Sequence, residues 1–109
     1  MKVLVVDNDE TSARSTVRAL EAHHAVRLAL TIGQARDAIE AWKADAVVCE
    51  LALGAEGGDA FLSWLRKQHP AVRRIVYCAG ASPMAFDVDL AHAWVIKPDV
   101  PKIEWLLLE

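Results

Sequence analysis

Short apolar runs alternate with stretches of helical spacing along the whole chain. Residues 2–6 (K-V-L-V-V) are continuous and rich in β-branched side chains, the pattern of a strand buried on both faces. Residues 11–22 place Ala13, Val17 and Leu20 on one helical face, with Arg14, Arg18 and Glu21 elsewhere. Residues 25–30 read as a second strand. Thr31 then opens T-I-G-Q, a capping-box spacing with Gln34, and Ala35, Ala38, Ile39 and Trp42 follow at helical intervals. Residues 46–49 (A-V-V-C) predict a third strand ending at Glu50. Residues 51–58 form a loop loosened by Gly54, Gly57 and Gly58. A third helix is marked by Phe61, Leu62 and Leu65. It opens with Asp59, carries Arg66, Lys67 and His69 in its last turn and stops at Pro70. Residues 74–79 and 94–96 predict the fourth and fifth strands. Between them, Ser82 and Pro83 suit a helix start, although residues 81–92 have poor periodicity. Residues 102–109 are long enough only for a short last helix.

Five strand–helix alternations with apolar strands predict an α/β domain in three layers: a five-stranded parallel sheet with helices on both faces. Ligands of such sheets bind at the carboxyl ends of the strands, near the point where strand order reverses. Asp7, Asn8, Asp9, Glu50, Cys78 and Lys97 all fall at or just past a predicted strand end. The fold alone therefore gathers them at one edge.

The length of 109 residues suits one domain, spanning 1–109, and 54% hydrophobic residues can fill its core. A net charge of -3 with interspersed signs gives no basic stripe, which argues against nucleic-acid binding. No apolar run spans a bilayer and no signal-peptide pattern opens the chain, so a cytoplasmic protein is expected. Cys49 and Cys78 lie in strand-like runs without metal-ligand spacing and read as small buried hydrophobes.

Four motifs in register carry a family resemblance. They are V-L-V-V-D-N-D-E at residues 3–10, D-A-V-V-C-E-L-A-L-G-A-E-G-G at 45–58, I-V-Y-C-A at 75–79 and A-W-V-I-K-P at 93–98. Together they resemble the CheY-like receiver domains of bacterial response regulators, over essentially the whole chain. The resemblance implies a flavodoxin-like fold. It also implies a site in which two acids after the first strand hold magnesium and an aspartate ending the third strand accepts phosphate. A hydroxyl residue ending the fourth strand and a lysine ending the fifth contact the phosphoryl group. Asp7 matches the first acid and Lys97 the lysine. Asn8, Glu50 and Cys78 stand where the second acid, the phosphoacceptor and the hydroxyl are expected.

Each departure weakens phosphate chemistry. Asn8 offers magnesium a neutral oxygen in place of an anionic one. Asp9 is near enough in sequence to compensate, but its place in the loop does not match the family ligand. Glu50 keeps the charge yet carries it one methylene further out, and phosphoryl transfer depends on placement. Cys78 is a poor hydrogen-bond donor. No cofactor is expected, beyond at most a weak magnesium site at Asp7 and Glu50. These readings predict a vestigial phosphoacceptor pocket in a non-enzymatic pseudo-receiver, a regulatory or protein-interaction module of bacterial signalling. Glu50 and Lys97 either hold one fixed conformation or merely solvate a decayed sheet edge. The alternatives are a true phosphorelay receiver with an unorthodox site at Asp7, Asp9 or Glu50, and a small-ligand sensor using the same pocket.

Trp94 stands where the family has an aromatic that moves with activation, and otherwise reads as a packed side chain beside the last strand. Trp105 with Leu106, Leu107 and Leu108 makes an apolar end to the last helix. Packing on the sheet is the first explanation, and contact with a partner or a second copy the next. The resemblance further implies a shortened helix before the fifth strand and a shortened last one, and a C-terminal output domain fused to a module of this kind. The four histidines form no catalytic or metal set.

Overall fold

Side chains that alternate between two covered sheet faces set the architecture. The computed structural model describes residues 1–55, 57–80 and 88–108. Its strands are β1 (Lys2–Val6), β2 (Ala25–Ala29), β3 (Ala46–Cys49), β4 (Arg73–Cys78) and β5 (Ala93–Ile96). Its helices are α1 (Glu10–Leu20), α2 (Ile32–Trp42), α3 (Gly57–Gln68) and α4 (Val100–Leu107), with a 3-10 turn at Val88–Leu90. The strands form one parallel sheet in the order β2-β1-β3-β4-β5. This is the doubly wound, flavodoxin-like order. Leu4, Val6, Val47, Cys49 and Val76 face the α2 and α3 side, against Ile39, Phe61, Leu62 and Leu65. Val3, Val5, Val48, Ile75 and Val95 face the α1 and α4 side, against Ala13, Leu20, Ile103 and Leu107. Every strand position from Val3 to Val6 is buried, because helices cover both faces.

Local chemistry moves several element ends from their predicted places. Asp9 accepts a hydrogen bond from Ser12 N and so caps α1, which starts at Glu10. Thr31 accepts from Gln34 N as expected, but Gln34 returns its side-chain oxygen to Leu30 N (2.9 Å), not to the cap residue's own N–H. β4 begins at Arg73, whose N–H finds Asp45 O, and ends at Cys78, where its pairing with Ile96 ends. The last helix begins at Val100, two residues early, because Asp99 caps it and Pro101 fits the first turn. The helix start at Ser82 and Pro83 lies outside the described residues. Of that predicted helix, residues 88–92 are described, and they hold only the three-residue 3-10 turn Val88–Leu90.

Cys49 and Cys78 are free and buried. Burial, then the charges of Glu50 and Asp7, pushes the Cys49 thiol far above its usual range, so it behaves as an apolar side chain. His24 is the anomaly in the α1–β2 turn. Its imidazole is buried with neither nitrogen hydrogen-bonded among the described residues, and Glu104 Oε2 lies 3.8 Å from Nε2. An unmade buried hydrogen bond costs about 1–3 kcal/mol, so His24→Leu is expected to stabilise the domain by about 1 kcal/mol. A thermal unfolding midpoint several degrees higher, about 4–8 °C per kcal/mol, would register it.

Candidate functional site

The reversal of strand order falls between β1 and β3, and the chain leaves those two strands at Asp7 and Glu50. Asp7 is 4% exposed. Its backbone N–H continues the ladder to Ala29 O, which fixes the residue, while its Oδ1 accepts from Asp9 N at 2.9 Å. Glu50 is held from below by its own N–H on Val6 O. Lys97 follows β5 and is anchored by its N–H on Cys78 O. The neighbouring strands β1 and β3, and β5 beyond β4, thus deliver two carboxylates and one ammonium to a single point.

The ammonium bridges both acids. Lys97 Nζ lies 2.8 Å from Asp7 Oδ2 and 3.2 Å from Glu50 Oε1. The second Glu50 oxygen accepts from Leu51 N at 2.7 Å. Burial alone would lower the Lys97 pKa. The hydrogen bond and charge of Asp7, and those of Glu50, outweigh it and hold the ammonium above its ordinary range. The extra methylene of Glu50 carries its carboxylate far enough to meet the lysine while still reaching Leu51 N–H.

The side chains of the remaining predicted site residues take no part in this triad. Asn8 is exposed, and its side chain makes no hydrogen bond among the described residues. Asp9 spends its side chain on the α1 cap. Cys78 is buried with Cys49 in the apolar layer, and it serves the site through its carbonyl. Trp94 is half-buried against the α2–α3 core, with its indole N–H directed at Val88 O (3.4 Å). Trp105 is 59% exposed on α4.

Two contributors were not singled out from sequence. Tyr77 is buried under the lysine, with Nζ 5.7 Å from its ring centroid, a distance at which the π-face attracts the cation. Its position beside Val95 in the β4–β5 register, two residues before Lys97, is the signal that would have found it. Gly58 is the other. Its N–H donates to Leu51 O, closing the loop that presents Leu51 N–H to Glu50.

Magnesium demands several hard anionic oxygens in octahedral array. Here all four carboxylate oxygens of Asp7 and Glu50 already have a donor, and the triad's net charge is only -1, two acids against one lysine. Among the described residues, no three acids, histidines or cysteines are grouped to hold a metal. These residues do not fit a magnesium site.

No protein-family model matches the chain, and no curated protein matches it in sequence. Solved structures do. A CheY-like response regulator receiver domain protein from Methanospirillum hungatei superposes with a TM-score of 0.88 at 24% identity, covering 98% of this chain and 90% of that one. The receiver domain of NtrX from Brucella abortus gives 0.85 at 21%, covering 97% and 94%. Chemotaxis protein CheY4 of Vibrio cholerae gives 0.83 at 18%, covering 98% and 95%. No helix among the described residues is long and apolar enough to cross a membrane. The chain has the α/β fold of response-regulator receiver domains, CheY-like in strand order and complete in its five strands.

Proposed function

We propose that this chain is a pseudo-receiver, a regulatory protein-interaction module of signal transduction that works without phosphorylation and catalyses no reaction. The observation that carries this reading is the bridge from Lys97 to Asp7 and Glu50. In a receiver, the lysine and the acids act on a phosphoryl group. Here they bind one another, and the longer carboxylate of Glu50 occupies the lysine directly. The site supports a single standing conformation rather than a switch. A partner would then read a permanent surface, in the cytoplasm and as part of a larger signalling protein. The NtrX structure with ATP offers a precedent, since this chain covers only 26% of that chain.

Incubation with acetyl phosphate and magnesium, followed by intact-mass measurement, is expected to leave the mass unchanged. A stable phosphoryl adduct on Asp7, Asp9 or Glu50 would establish a working receiver instead. The standing lock has its own test. Glu50→Gln removes one charge-assisted contact and is expected to cost about 1–2 kcal/mol of stability. Unchanged stability and unchanged partner binding in that variant would reduce the triad to a solvated sheet edge.

A further inference from the structure

The opposite edge of the sheet carries a second feature that the lock does not use. A cavity of about 420 Å³ opens where β4 and β5 begin, lined by Ala71, Arg73, Ile75, His92, Ala93 and Leu106. That volume lies within the roughly 300–1,000 Å³ range of small-molecule sites. The space exists because Ala71 and Ala93 are small at its rim and α4, eight residues long, ends beside it.

Its polar groups are fixed in a particular arrangement. Arg73 Nη1 donates to Leu106 O (2.8 Å) and Leu107 O (3.5 Å), the last carbonyls of α4. Among the described residues Nη2 and Nε make no hydrogen bond. One side of the guanidinium is thus pinned to the helix end. The Nε–Nη2 side, the fork that matches two oxygens of a carboxylate, is left open. His92 N donates to Arg74 O at 2.7 Å, and His92 Nδ1 accepts from Arg74 N at 3.0 Å. The ring therefore stands in for a missing strand residue at the start of the β4–β5 ladder. A nitrogen that accepts carries no proton, so Nε2 must carry it, and the ring offers a donor from there. Burial and the charges of Arg74 and Arg73 hold this imidazole below its ordinary pKa, in keeping with a neutral ring in a positive local field. Among the described residues no carboxylate lines the cavity, although the chain as a whole is acidic.

From these groups we infer that the cavity is a binding site for a small organic carboxylate with a short apolar body. The carboxylate sits on the open fork of Arg73 with His92 Nε2–H beside it, and the apolar body lies on Ile75, Ala93 and Leu106. The site is separate from the Asp7–Glu50–Lys97 triad and does not depend on whether that triad accepts phosphate.

Benzoate is a suitable probe, with benzyl alcohol and inorganic phosphate as comparison arms, titrated into the full chain and followed by amide chemical shifts. The expected result is saturable shifts at Ala71, Arg73, His92 and Ala93, with a dissociation constant on the order of 1 mM for so small a ligand. Benzyl alcohol should bind at least about tenfold more weakly, because it lacks the second oxygen for the fork. Arg73→Lys keeps a cation near the α4 carbonyls but has no fork, and is expected to weaken benzoate about tenfold. Ala71→Leu fills the rim from an exposed turn position without touching either polar group, and should abolish the shifts while the thermal midpoint holds. The inference is overturned if benzoate gives no saturable shift, if benzyl alcohol or phosphate binds as well as benzoate, or if a folded Ala71→Leu chain binds benzoate unchanged.

Discussion

Replacing Lys97 by methionine is expected to cost about 3 kcal/mol of folding stability, since removing one member of a buried ion cluster leaves its partners desolvated and unpaired. The stem volume is kept, so the loss belongs to the ammonium. The side chains it would abandon are 6% exposed at Asp7 and 15% at Glu50, and water can reach neither freely. Urea unfolding of the single variant and of Lys97→Met with Asp7→Asn separates charge from packing. The double variant should recover more than half of the loss, because an amide needs no counter-charge. If Lys97→Met costs less than about 1 kcal/mol, the triad is behaving as an exposed surface pair. The pH dependence has a definite sign. The Lys97 pKa is raised in the folded chain, so its contribution is complete below the unfolded value of about 10.5 and is lost as pH rises through the higher folded one.

Much of this was legible in the sequence, for identifiable reasons. Parallel strands buried on both faces must be continuous apolar runs, so residues 2–6 and 46–49 declare themselves, and polar residues at their ends are conspicuous. Asp7, Glu50 and Lys97 were found in this way, and the structure brings all three together. Asp9 follows a strand just as closely, yet it caps α1. Strand-end position does not distinguish a side chain that faces the site from one that turns to its own helix. The Arg73–His92 cavity left no sequence signal, because it depends on which way a helix end and a histidine ring face across 34 and 18 residues of chain. Element boundaries shifted where an unforeseen cap formed, as at Asp99 for α4.

The second large effect is expected at Gly58, where alanine should cost about 2–3 kcal/mol by overpacking. A Cβ built there falls onto Glu50 O and, at 2.9 Å, onto Leu51 Cα. Both obstacles are backbone, so no rotamer change relieves the clash and either α3 or the β3 end must move. Gly58 N also donates to Leu51 O at 2.7 Å, and Leu51 N holds Glu50 Oε2 at the same distance. Displacing α3 therefore pulls on the residue that orients the Glu50 carboxylate. Gly54→Ala is the control. It introduces a left-handed residue at φ +87 in the same loop but meets no atom within 4 Å, so its cost should stay near 1 kcal/mol. Urea unfolding of the two variants should rank Gly58→Ala well below Gly54→Ala. Gly58→Ala should also lose most of the added effect of Glu50→Gln, since the contact that the glutamate makes would already be broken. Equal costs at the two glycines would mean that the approach of α3 to the strand end does not set the position of Glu50. The lock would then rest on the lysine alone.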